Sequence, residues 1–158
     1  MAKILTFVGI FFVLIVIAVA GRLGEEFGDR AFAPESPSKE DLERGLIRGF
    51  NEAVETINQD LPAMIDDEIR MDKATVGPGA MMTYHYTFLN HVSNEVDSQW
   101  IRSGVRENVA NNVCKSQEMK RALQYGAAYR YSYSGSDQKF IAGFQITRED
   151  CGYADARP

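Results

Sequence analysis

Apolar side chains fall along this chain first as one unbroken run, then at helical spacing, then at every second position. The run from Ile4 to Ala20 carries no charge and no proline. A helix over it, at ~1.5 Å per residue, spans about 26 Å, close to the ~30 Å hydrocarbon core once Lys3 and Arg22 snorkel at its ends. Residues 1–22 are therefore expected to form a transmembrane anchor. A cleaved signal peptide is the competing reading, since Ala18-Val19-Ala20 is a small-residue cleavage motif behind a short positive start. The length of the run and Phe7, Phe11 and Phe12 within it favour retention.

Residues 23–38 contain Ala33-Pro34-Glu35-Ser36-Pro37-Ser38 and read as a linker. The rest, 39–158, is the length of one ordinary domain. Ser38 followed by Asp41 marks a helix start, and Leu42, Leu46, Ile47, Phe50, Val54 and Ile57 recur at steps of three and four up to Pro62. From Ile65 to Val76 the pattern becomes extended. Gly77-Pro78-Gly79 then turns the chain into a second strand over Ala80 to Asn90. Val96, Trp100, Ile101, Val105, Val109 and Val113 predict a second helix, and Ser116 caps a short third one, Gln117 to Tyr125, closed at Gly126. Tyr129, Tyr131 and Tyr133, a Gly135-Ser136-Asp137 turn, and Phe140, Ala142, Phe144 and Ile146 form a second hairpin.

The order α-ββ-α(α)-ββ implies an α+β fold, a four-stranded antiparallel sheet of two hairpins with helices packed on one face. That face is expected to hold Met82, Tyr84, Tyr86, Phe88, Tyr129, Tyr131, Tyr133, Phe140, Phe144 and Ile146. The opposite, open face carries Thr83, His85, Thr87, Arg130, Ser132, Gln145 and Thr147, a candidate docking face for another exported domain that must be weighed against simple solvation.

Charge sets the orientation. Lys3 precedes the span, whereas Glu25, Glu26 and Asp29 outweigh Arg22 after it, so the N-terminus is expected in the cytoplasm and the domain on the exported side. The formal net charge of −5, without any Lys/Arg block, argues against nucleic acid as a partner. Cys114 and Cys151 are the only cysteines and stand in no metal-ligand spacing. An exported domain favours a disulfide between them over two buried thiols.

No motif carries chemistry by itself. His85 and His91 are the only histidines, and Glu95 and Asp97 nearby complete no zinc spacing. No G-x-S-x-G nucleophile is present. Asp66, Asp67, Glu68 and Asp72 lack the spacing of a calcium loop. Gly77-Pro78-Gly79 is not a phosphate loop, and Gly45 and Gly49 suggest a close helix-sheet approach. The tyrosines read as core rings with hydroxyls at the rim. No catalytic residue, metal or cofactor is assigned.

Asp67-Glu68-Ile69-Arg70-Met71-Asp72, Val76-Gly77-Pro78-Gly79, Tyr84-His85-Tyr86-Thr87, Val113-Cys114-Lys115-Ser116-Gln117-Glu118-Met119, Tyr129-Arg130-Tyr131-Ser132-Tyr133 and Ile146-Thr147-Arg148-Glu149-Asp150-Cys151 resemble a family of small bacterial envelope proteins. The likeness spans Leu61 to Cys151. It implies an N-terminally anchored, exported bacterial domain with a paired cysteine framework, and it implies no activity. The expectation is thus a single-pass inner-membrane protein with a periplasmic domain, an accessory or structural subunit that binds other envelope or membrane proteins. Competing readings are a periplasmic small-ligand or enzymatic cleft between helices and sheet using His85, Arg130 or rim tyrosines, and an envelope inhibitor or immunity protein.

Overall fold

The computed structural model describes residues 37–154. The apolar run expected to cross the membrane lies outside them, and among the described residues no helix is long and apolar enough to do so.

Helix α1, Lys39–Gln59, starts where Ser38 accepts from the backbone N–H of Asp41, with Glu40 and Asp41 at its positive end. It buries Gly49, Phe50, Ala53 and Ile57 against strands β2 and β3. Gly49 is buried as a close approach requires, but a Cβ at Gly45 would meet open space, so only one of the two glycines fits that expectation.

Strand β1 is two residues, Ala63–Met64, and is followed by β2, Ile69–Val76, and β3, Met81–Phe88. The β2–β3 turn needs positive φ at Gly77 (100°) and Gly79 (65°), which glycine reaches without a Cβ clash. A helical segment follows in three parts: α2, Ser98–Trp100; a π-helical turn, Ile101–Val105; and α3, Arg106–Lys115. Helix α4, Gln117–Gln124, is capped by Ser116. Strands β4, Ala128–Ser134, and β5, Phe140–Ile146, follow.

The sheet has five strands in the order β1-β2-β3-β4-β5, one more than expected. The extra strand, β1, is too short for its alternation to stand out in the sequence. The sheet is also not wholly antiparallel: β3 and β4 pair in parallel, Met81 opposite Ala128 through Thr87 opposite Ser134. The helices between the hairpins carry the chain back to the end where β3 begins, the connection a parallel pair demands.

One face is closed. Helix α1 covers β2 and β3, while the segment from α2 to α3 lies over β5. Beneath them Tyr84, Tyr86, Phe88, Tyr129, Tyr131, Tyr133 and Phe144 form a ladder of ring contacts with centroids 5.1 to 6.5 Å apart. Each such pair adds roughly 0.5–1.5 kcal/mol to the burial of its rings. Two aromatic residues lie outside the core, and for Phe140 this overturns the expectation. Trp100 is half-exposed because the wide π-helical turn begins immediately after it and Ile101, fully buried, takes the core position. Phe140 is 58% exposed because a bulge between Tyr133 and Ser134 sets it opposite Ser134, on the other face.

Cys114 and Cys151 lie in disulfide geometry, Cα atoms 5.3 Å apart, joining the end of α3 to the turn after β5. The Tyr153 hydroxyl donates to the Cys114 carbonyl beside them, and Lys120 lies over the Tyr153 ring.

Candidate functional site on the open sheet face

With one face closed, the other is the surface on which this domain displays side chains in fixed register. Three rows cross it. Thr75, Thr83, Arg130 and Gln145 form the first; Lys73, His85, Ser132 and Gly143 the second; Arg70, Thr87, Ser134 and Phe140 the third.

A second bulge shapes it. The register shifts between Met71 and Lys73, so Met71 stays in the core, Lys73 stands opposite His85, and Asp72 is the additional residue. The Asp72 carboxylate accepts from Arg70 Nε and from the Thr87 hydroxyl, each at 2.6 Å. Thr75 Oγ1 and His85 Nε2 share a hydrogen bond of 2.9 Å. Burial holds the His85 imidazole below its ordinary pKa, the positive charge of Lys73 pushes the same way, Asp72 opposes, and Arg130 adds to the lowering.

Arg70 is neutralised by Asp72, but neither Lys73 nor Arg130, both exposed, has an ion pair among the described residues. Two cations thus flank a histidine on a protein whose net charge is −5. At the β5 side the Phe140 ring lies over Gly143, 3.6 Å from where a Cβ would be; that Cβ would also stand 2.9 Å from the Tyr131 carbonyl.

The structure brings Thr83, His85, Thr87, Arg130, Ser132 and Gln145 onto one face, with Thr83 itself buried. Thr147 is not part of it: the residue follows β5, and its N–H and hydroxyl both donate to Asp150 in the turn leading to Cys151. Sequence reasoning missed Arg70, Asp72, Lys73 and Thr75. Alternation through β2 points toward some of them, but the bulge that places Asp72 next to Lys73 breaks the pattern.

The remaining candidates serve local structure. Asp66 accepts from the N–H groups of Glu68 and Ile69, and Asp97 caps α2 through Gln99. Glu95 accepts from Val92 N–H and lies 3.9 Å from His91, while the His91 carbonyl accepts from Ser136. Among the described residues no group of three or more His, Cys, Asp or Glu is placed to hold a metal ion.

A family described as a domain of unknown function (DUF8479) matches residues 47–142. Comparison with curated protein sequences finds no match. Among solved structures, a Pseudomonas aeruginosa protein described as secreted is 18% identical, TM-score 0.59, over 70% of this chain and 96% of its own. The type 2 secretion pilotin EpsS of Vibrio vulnificus is 12% identical, TM-score 0.58, over 71% and 96%. The type II secretion pilotin AspS of Vibrio cholerae is 16% identical, TM-score 0.56, over 73% and 100%. At these identities the likeness is one of fold.

Proposed function

The chain belongs to the DUF8479 domain family, and on that premise we propose that it is an exported accessory protein of the bacterial envelope that binds another envelope protein through the open face of its sheet. The observation that carries this reading is the one-sided closure of the domain: helices and an aromatic ladder fill one face, and among the described residues the other keeps Lys73, Arg130 and Gln145 exposed. The same architecture over nearly the whole length of two pilotins supports it, since both belong by their names to a type II secretion system. In this reading residues 1–22 are a single membrane span with the N-terminus in the cytoplasm, residues 23–38 a tether, and the domain from 39 onward lies in the periplasm.

The test is purification of the full chain from native membranes in mild detergent. A discrete envelope protein in fixed proportion to this chain is expected, and its yield falls when Thr87→Arg and Ser132→Arg place bulk on the open face. Recovery of the chain alone under several detergents contradicts the proposal.

A further inference from the structure

Resting on the docking reading above, we infer that the open face receives an extended, acidic segment of the partner protein, with Lys73 and Arg130 as its carboxylate-binding groups.

Three observations carry this. First, Lys73 and Arg130 are exposed and have no ion pair among the described residues, whereas the nearby Arg70 is held by Asp72. Unpaired cations on a protein of net charge −5 make this face a local reversal of sign, which draws an anionic group and disfavours a cationic one. Second, both act on the half-buried His85, Lys73 from the neighbouring strand and Arg130 from the other side, so they border one patch. Third, the geometry suits a chain in extended conformation. Lys73 and Arg130 stand two strands apart and about two residues out of line, roughly 12 Å at ordinary strand spacing. Side chains on one side of an extended segment recur about every 7 Å, so carboxylates two or four residues apart reach both cations. Thr75, Ser132 and Gln145 lie in the same rows and offer hydrogen bonds to the rest of the segment.

An anionic membrane surface shares the charge but not the shape. A lipid plane extends beyond the two cations across a domain on a chain of net charge −5, with Asp67 and Glu68 exposed in the loop before β2. A narrow segment avoids that repulsion.

The full chain in an uncharged detergent provides the assay. Shielding of Lys73 from amine acylation is read by mass spectrometry, and peptide affinity by fluorescence anisotropy. The probes are a labelled ten-residue peptide alternating Thr and Glu, the same peptide with Lys for Glu, and short-chain phosphatidylglycerol. The acidic peptide is expected to shield Lys73, to bind more weakly as salt rises, and to lose at least tenfold in affinity in K73E/R130E but little in K73R/R130K. The basic peptide and the lipid are expected to leave Lys73 open. Should the charge-reversed protein fail to fold, shielding in the unaltered chain decides. Shielding by phosphatidylglycerol alone, or by none of the probes, overturns the inference. If K73E/R130E still co-purifies with its envelope partner, the acidic-segment inference falls while docking stands; absence of any partner for the unaltered chain removes docking itself.

Discussion

Asn58 shows how one side chain completes what the strands leave open. Strand β1 pairs with β2 at Met71 and Arg70, and among the described residues the edge of β2 beyond them has no strand partner. There the Asn58 amide donates to the Ala74 carbonyl at 3.0 Å, and its oxygen accepts from the Ala74 N–H at 2.8 Å. A helix residue thereby substitutes for a neighbouring strand and protects an edge. Replacing Asn58 by Ala leaves two partly buried backbone groups without this partner and is expected to lower stability by about 2 kcal/mol. A lower urea midpoint at unchanged slope reads that loss; Asn58→Asp, which keeps only the acceptor, is expected to fall between. Nothing in the local sequence around Asn58 announces this role, because its partner lies on another element. Ser38 and Ser116 are the opposite case: each cap bonds three residues ahead, so the signal and its satisfaction sit in one short stretch.

At the scale of elements, the tyrosine strands were legible and the bulges were not. Period-two alternation puts Tyr84 and Tyr86, and Tyr129, Tyr131 and Tyr133, on one face, where the structure buries them together. A bulge adds one residue and reverses the faces beyond it, which moves Phe140 into solvent and puts Asp72 on the same face as its neighbour Lys73. The π-helical turn does the same for Trp100. The ladder has a consequence for pH. Burial holds all five phenols above their ordinary value of 10.0. The unfolded chain therefore releases these protons from about pH 10 upward while the folded chain retains them, so their contribution is whole below pH 10 and is lost as the pH rises beyond it. Phenolate absorbance of these five is expected to appear together with loss of the circular dichroism of the fold; ionisation well before unfolding contradicts a closed ladder. The Cys114–Cys151 link, with a sequence separation of 37, is expected to contribute about 4 kcal/mol by restricting the unfolded chain. Replacing both cysteines by serine should lower the urea midpoint accordingly, and an unchanged midpoint would mean the pair is not joined.

For the whole molecule, fold class was legible while topology was only half so. Helix and strand periodicity gave the order of elements, and each hairpin was visible through its turn. The parallel pairing of β3 with β4 was not, because it is made by strands separated by the whole helical segment and each strand reads alike in either pairing. On the open face that pairing aligns Thr83 with Arg130 and His85 with Ser132, and so gathers a basic patch that neither hairpin holds alone. Docking through this face is tested most closely by photo-crosslinking in the living cell, with a photoreactive residue placed in turn at Ser134, Phe140 and Gln145 on the open face and at Glu52 and Glu55 on the exposed side of α1. One discrete envelope protein is expected to be captured from the open-face positions and not from α1. Equal capture from both sides, or capture from α1 alone, would contradict it.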